Sequence, residues 1–127
     1  MGRVIHFEIH AEDPERAIKF YKTIFKWQFN KYVEDYWLII TGKPEERGID
    51  GGLIKRKGDS PVSGQTVISY VCTIDVDSGD ETAKAIEEAG GKIVVPKVSV
   101  PNVGRLIYCT DTEGNIFGII QNDPAAK

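Results

Sequence analysis

From Ile5 to His10 apolar and polar residues alternate one by one, so the segment Arg3–His10 reads as a half-buried strand. A different period follows. Asp13 is suited to cap a helix and Pro14 to its first turn, and Ala17, Phe20, Tyr21 and Ile24 recur at spacings of three and four along one face. The same succession returns in the second half of the chain. Ser78 and Glu81 form a Ser-x-x-Glu capping box, and Thr82, Ala85, Ile86 and Ala89 repeat the spacing until Gly90-Gly91 ends the helix. Adding 65 to 17, 20, 21 and 24 gives 82, 85, 86 and 89, so the chain repeats itself once.

Strand-like runs follow each helix, at Gln28–Val33, Trp37–Thr41 and Gly52–Lys55, then at Lys92–Val95, Arg105–Thr110 and Asn115–Gln121. The pattern predicts an α+β domain of two tandem βαβββ modules, module one over about residues 1–57 and module two over about 66–123. A Gly/Ser/Pro-rich linker over about 58–65 joins them. Neither module alone can bury enough apolar surface to be stable, so the two are expected to pair within one domain spanning residues 1–127.

Alternation assigns faces. Ile5, Phe7 and Ile9 are expected under the first helix, with His6, Glu8 and His10 on the opposite, concave side. In the matching strand Tyr70, Cys72 and Ile74 take the helix side and Ser69, Val71, Thr73 and Asp75 the inner one.

Composition narrows the function. With 127 residues, 41% of them hydrophobic, the chain suits one core. Sixteen basic against nineteen acidic residues and a net charge of −3 argue against a nucleic-acid partner, and Lys55-Arg56-Lys57 reads as a solvated strand end. No apolar stretch reaches the roughly 20 residues a membrane span needs, and the N-terminus opens on a strand rather than a signal peptide, which points to a cytoplasmic protein. Cys72 and Cys109 lie far apart in strand-like runs and read as buried, reduced thiols.

The run His6-Phe7-Glu8-Ile9, Asp13-Pro14-Glu15-Arg16-Ala17, Phe20-Tyr21 and Phe25-Lys26-Trp27 resembles the opening of the vicinal oxygen chelate superfamily, which includes glyoxalases, bleomycin resistance proteins and extradiol dioxygenases. The turn Asp111-Thr112-Glu113-Gly114-Asn115 is similar to its closing signature. The resemblance implies a paired, partly open barrel-like mixed sheet with a concave cleft between the modules, often in a homodimer. It also implies a divalent metal held from the first and last strands of each module, where a Lewis acid polarises neighbouring substrate oxygens.

His6 falls on the first of those ligand positions, but the others fall on Gly52, Gly118 and Val71, or Tyr70 with a slip of one. One position in four is filled, whereas a catalytic metal generally takes three protein ligands. His6, Glu8 and His10 spread over about 13 Å at about 3.3 Å per residue, so at most two adjacent members can share an ion. No metal is therefore expected, and His6 is the ligand if there is one.

Two readings stand. The first is a metal-independent module that binds or sequesters a small organic molecule, with His6, Glu8, Trp37, Gly52, Val71, Thr73, Arg105 and Gly118 lining its site. The glycines widen the cavity floor and Arg105 reaches an anionic group. The second is a lyase, isomerase or dioxygenase, either metal-assisted through His6 or metal-free, with Glu8 as general base and His6 as its partner.

Overall fold

The computed structural model describes residues 2–62, 64, 65 and 69–127. Ser63 in the expected linker and residues 66–68 at the expected start of the second module lie outside the described residues. Both βαβββ modules are present. The first contains β1 (Val4–Ala11), α1 (Pro14–Phe25), β2 (Gln28–Val33), β3 (Tyr36–Ile40) and β4 (Gly51–Lys55). The second contains β5 (Val71–Val76), α2 (Gly79–Glu88), β6 (Lys92–Val100), β7 (Gly104–Thr110) and β8 (Ile116–Asn122). Two compact units result. One is His6–Tyr70, and the other is built on Val71–Lys127 and takes in the start of the chain through Ile5.

In the first module the strand order is β2-β3-β4-β1, with β1 and β4 parallel and the other pairs antiparallel. The second module repeats this mixed sheet as β6-β7-β8-β5, with β5 and β8 parallel. Each helix is the connection between the first strand of its module and the hairpins that follow.

Phe7, Ile9, Ala11, Ile39 and Leu53 form the buried core of the first module, and Ala17, Ile18 and Tyr21 of α1 pack on it with Trp27, Phe29 and Trp37. The cap is as the sequence predicts: Asp13 accepts from the Arg16 N–H at 3.2 Å, and Pro14 stands in the first turn. The buried face of the helix differs from expectation. Phe20 and Ile24 are more than half exposed, and Ile18 takes their place. In α2 the same rotation occurs, with Ala83 and Ile86 packed on Ile107, Cys109 and Ile119. In α1 the cause is a stripe of six apolar residues, 17, 18, 20, 21, 24 and 25, wider than the sheet can cover, so spacing alone leaves its orientation open.

Other differences are local. Ile5 is exposed rather than covered. Tyr70 belongs to the first compact unit, where its hydroxyl meets that of Tyr21 at 2.7 Å and its ring stacks on Phe7 at 5.8 Å. β6 runs on past Val95 to Val100 because it is an edge strand, where Pro96 removes no necessary ladder bond. At the other end of the second module, Arg3 and Asp75 clasp each other through the Arg3 N–H to the Asp75 carboxylate and the Asp75 N–H to the Arg3 carbonyl. Cys109 is buried, Cys72 is partly so, and neither is in a disulfide.

Candidate functional site

In the first module, strand alternation separates two surfaces. Phe7 and Ile9 go to the helix side, and His6, Glu8 and His10 line the other. Glu8 stands opposite Gly52 of β4, and Gly52 stands opposite Leu38 of β3. Tyr36 lies one step along β3 on the same face, opposite Ile54.

Tyr36 changes the meaning of the glycine. A Cβ at Gly52 would collide with the Tyr36 hydroxyl and with the ring carbon that carries it. The phenol therefore occupies the volume that a side chain at position 52 would need. Aromatic cover of a strand glycine from a neighbouring strand is a known way of filling a sheet surface. Here the ring brings a polar tip. Its hydroxyl is 3.5 Å from His6 Nε2, and the Tyr32 ring meets the Tyr36 ring edge-on at 6.3 Å.

Glu8 is only 7% exposed, unusual for a carboxylate. Its Oε1 lies 3.0 Å from His10 Nε2. His10 is thus one partner of Glu8, and it is part-buried, while the Glu8 charge also acts on His6. The electrostatics follow from this placement. Burial pushes the His6 imidazole below its ordinary value, against the opposing pull of Glu8 and Asp50, which keeps the ring neutral near pH 7. Burial, then the Glu8 charge and Tyr32, push the Tyr36 phenol up to about 12, so it holds its proton throughout the neutral range. The face presents a neutral imidazole and an un-ionised phenol beside a buried carboxylate.

The second module has the same register with different residues. Thr73 stands opposite Gly118, which stands opposite Tyr108. A Cβ at Gly118 would lie 3.1 Å from Thr73 Oγ1, 3.3 Å from Leu106 Cδ1 and 3.5 Å from Tyr108 Cε1, which is crowded but not blocked. Val71 and Thr73 are buried on that strand. A separate depression of about 630 Å³ opens on the helix side, bordered by Ile74, Asp75, Glu81, Phe117 and Asn122.

Of the sequence-predicted residues, His6, Glu8 and Gly52 come together in the first module, and Thr73 and Gly118 in the second. Trp37 and Arg105 do not join them. Trp37 packs on the helix-side core with Lys31 5.6 Å from its ring. Arg105 pairs in register with Gln121, whose side chain caps the Gly79 N–H of α2, and its guanidinium approaches Asp123 at 3.9 Å. That strand parity puts Arg105 on the helix side, opposite Tyr108 and Leu106. Tyr36 is the residue that sequence reasoning missed.

The four implied metal positions do not fit a metal. The corner at Gly52 is filled by the Tyr36 phenol, and Val71 and Gly118 offer no side-chain donor. Among the described residues, no group of three or more His, Cys, Asp or Glu side chains could hold an ion. Among the described residues, too, no helix is long and apolar enough to cross a membrane.

Comparison with known proteins agrees with this architecture. The profile of the Glyoxalase/Bleomycin resistance protein/Dioxygenase superfamily matches residues 3–119. A glyoxylase-like domain-containing protein of Didymella fabae is 31% identical over 123 residues, covering 93% of this chain and 92% of its own. Two solved structures have the same fold. A glyoxalase/bleomycin resistance protein/dioxygenase superfamily member from Vibrio splendidus 12B01 superposes with a TM-score of 0.66 at 13% identity, covering 97% of this chain and 100% of its own. Methylmalonyl-CoA epimerase from Mycobacterium tuberculosis gives 0.66 at 14%, covering 95% and 88%.

Proposed function

Because the chain belongs to the glyoxalase/bleomycin resistance protein/dioxygenase superfamily, we propose that it binds a small organic molecule on the polar strand face of its first module, without a resident catalytic metal. The observation that carries this reading is the Tyr36 phenol standing in the space over Gly52, beside His6. It replaces a potential chelating corner with a hydrogen-bonding one. The buried Glu8 supports the same reading, since a polar group kept away from solvent can orient a ligand at some cost in stability.

A second reading draws on the Glu8–His10 contact at 3.0 Å. A carboxylate hydrogen-bonded to an imidazole is equipped to take a proton from a bound molecule and pass it toward the strand end, which makes metal-free acid–base catalysis the alternative.

The test is a thermal-shift screen of small metabolites, because a compound that binds only the folded state raises its apparent stability. We expect a subset of compounds to stabilise the wild type and to lose that effect in Glu8→Gln, whose own melting temperature stays near the parent. A nickel or zinc titration run in parallel checks the metal: stoichiometric tight binding that disappears in His6→Ala would overturn the metal-independent reading.

A further inference from the structure

We propose that the Tyr36 hydroxyl is the group that receives the bound molecule, donating its hydrogen bond to a neutral carbonyl oxygen. This rests on the reading that the first module is a binding face and goes on to name the contact and the ligand class.

Three observations carry it. The hydroxyl stands directly over the bare backbone of Gly52, and the Tyr32 ring meets its own ring edge-on at 6.3 Å. It is poorly satisfied where it stands, since its contact with His6 Nε2 at 3.5 Å is at the outer limit of hydrogen bonding. A ligand oxygen at ordinary distance would displace that contact at little cost. Its surroundings also select the partner. Glu8 lies on the same strand face with its charge felt at the phenol, so an incoming anion is repelled. An un-ionised phenol donates to charged and uncharged acceptors alike, so it is the Glu8 charge that selects an uncharged one. A carbonyl oxygen meets that condition, and a carboxylate fails it.

The chemistry is that of a preorganised donor aimed at one oxygen. Tyr36 would bind and polarise a carbonyl through its single O–H, which leaves only the phenol oxygen for His6, neutral and adjacent, to donate to when its Nε2 carries the proton. No proton needs to be transferred.

Ligand-observed NMR on the 127-residue chain tests this with four matched probes: acetophenone and benzamide, which carry a neutral carbonyl, and 1-phenylethanol and benzoate, which do not. Acetophenone and benzamide are expected to bind the wild type, benzoate not to bind, and 1-phenylethanol to bind more weakly. In Tyr36→Phe, which keeps the ring over Gly52, the carbonyl probes should weaken about tenfold, the effect of losing one neutral hydrogen bond, while 1-phenylethanol changes less. Carbonyl probes that bind wild type and Tyr36→Phe equally would refute the Tyr36 assignment and leave the binding face intact. Failure of all four to bind the wild type would refute the binding face itself. Should Tyr36→Phe not fold, wild type labelled with carbon-13 at the tyrosine Cζ gives the same decision: a Tyr36 shift on adding acetophenone supports the contact, and an unmoved resonance under bound probe overturns it.

Discussion

Glycine occupies the same register position in both modules, opposite Glu8 in the first and opposite Thr73 in the second, and what rises over it differs. Over Gly52 a phenol arrives diagonally from β3 and its hydroxyl fills the space completely. Over Gly118 the neighbours are the flanks of Thr73, Leu106 and Tyr108, each at ordinary or slightly tight contact. The adjoining strand reads His-x-Glu-x-His in one module and Val71-x-Thr73-x-Asp75 in the other. A duplicated backbone has thus set a phenol hydroxyl in the space over the glycine in one half and left that space crowded but unblocked in the other. Position in the repeat sets where a site can be, and the side chains that cross from neighbouring strands set what it does.

The strongest way to break this contrast is to give both glycines a methyl group. Gly52→Ala is expected to cost on the order of 1–3 kcal/mol by overpacking against Tyr36, read from urea unfolding midpoints. Gly118→Ala should cost clearly less, because its nearest atoms are side-chain ends that can give. Adding Tyr36→Ala to Gly52→Ala should recover part of the loss, and strict additivity would show that the two positions do not interact.

A smaller effect is expected at alkaline pH. The Tyr36 phenol, raised from 10.0 to about 12 chiefly by burial, keeps its proton in the folded state across a range where the unfolded chain gives it up. Its contribution to stability is therefore whole below pH 10 and is lost as the pH rises toward 12. Tyr36→Phe should flatten the alkaline limb of the stability curve and remove one late-titrating tyrosine from the absorbance at 295 nm. Tyr21, also at about 12 through burial and its contact with Tyr70, remains.

The smallest effect should come from the turns. Each module closes the connection before its last strand with an aspartate: Asp50 accepts from the Thr41 N–H at 2.9 Å, and Asp111 accepts from the Glu113 and Asn115 N–H groups and the Asn115 side chain. Those bonds, the Asn115 side chain first, hold the Asp111 carboxyl below its ordinary range. The stability it contributes is present above the usual carboxylate pKa and is lost as the pH falls through its lowered value. Asp111→Ala should lower the melting temperature by a few degrees at pH 6 and make less difference at pH 3.

Much of this was legible in the residues. Alternation placed Phe7 and Ile9 in the core and His6, Glu8 and His10 on the other face, and the shift of 65 anticipated both helices and their shared register. Tyr36 was not legible, because Tyr-Trp-Leu-Ile-Ile is apolar throughout and a continuous run carries no period to assign faces. Its meeting with Gly52 joins residues 16 apart through a diagonal pairing and a rotamer, neither of which is written in spacing. The Glu8–His10 contact was visible as a two-residue interval on one strand face, but whether it closes depended on side-chain rotation. Trp37 and Arg105 drifted to the wrong side for the same reason as Tyr36: each sits where alternation has no polar partner to anchor it.

The Asp111–Asn115 segment is a knot, with one carboxylate drawing in three donors while Gly114 takes a positive φ of 83°. It is also half of what makes the kinship of this chain visible. A turn of this kind fastens backbone and carries no chemistry of its own. Sorting such proteins by chemistry calls for looking away from the fastening, at the atoms that hang over the two bare strand positions.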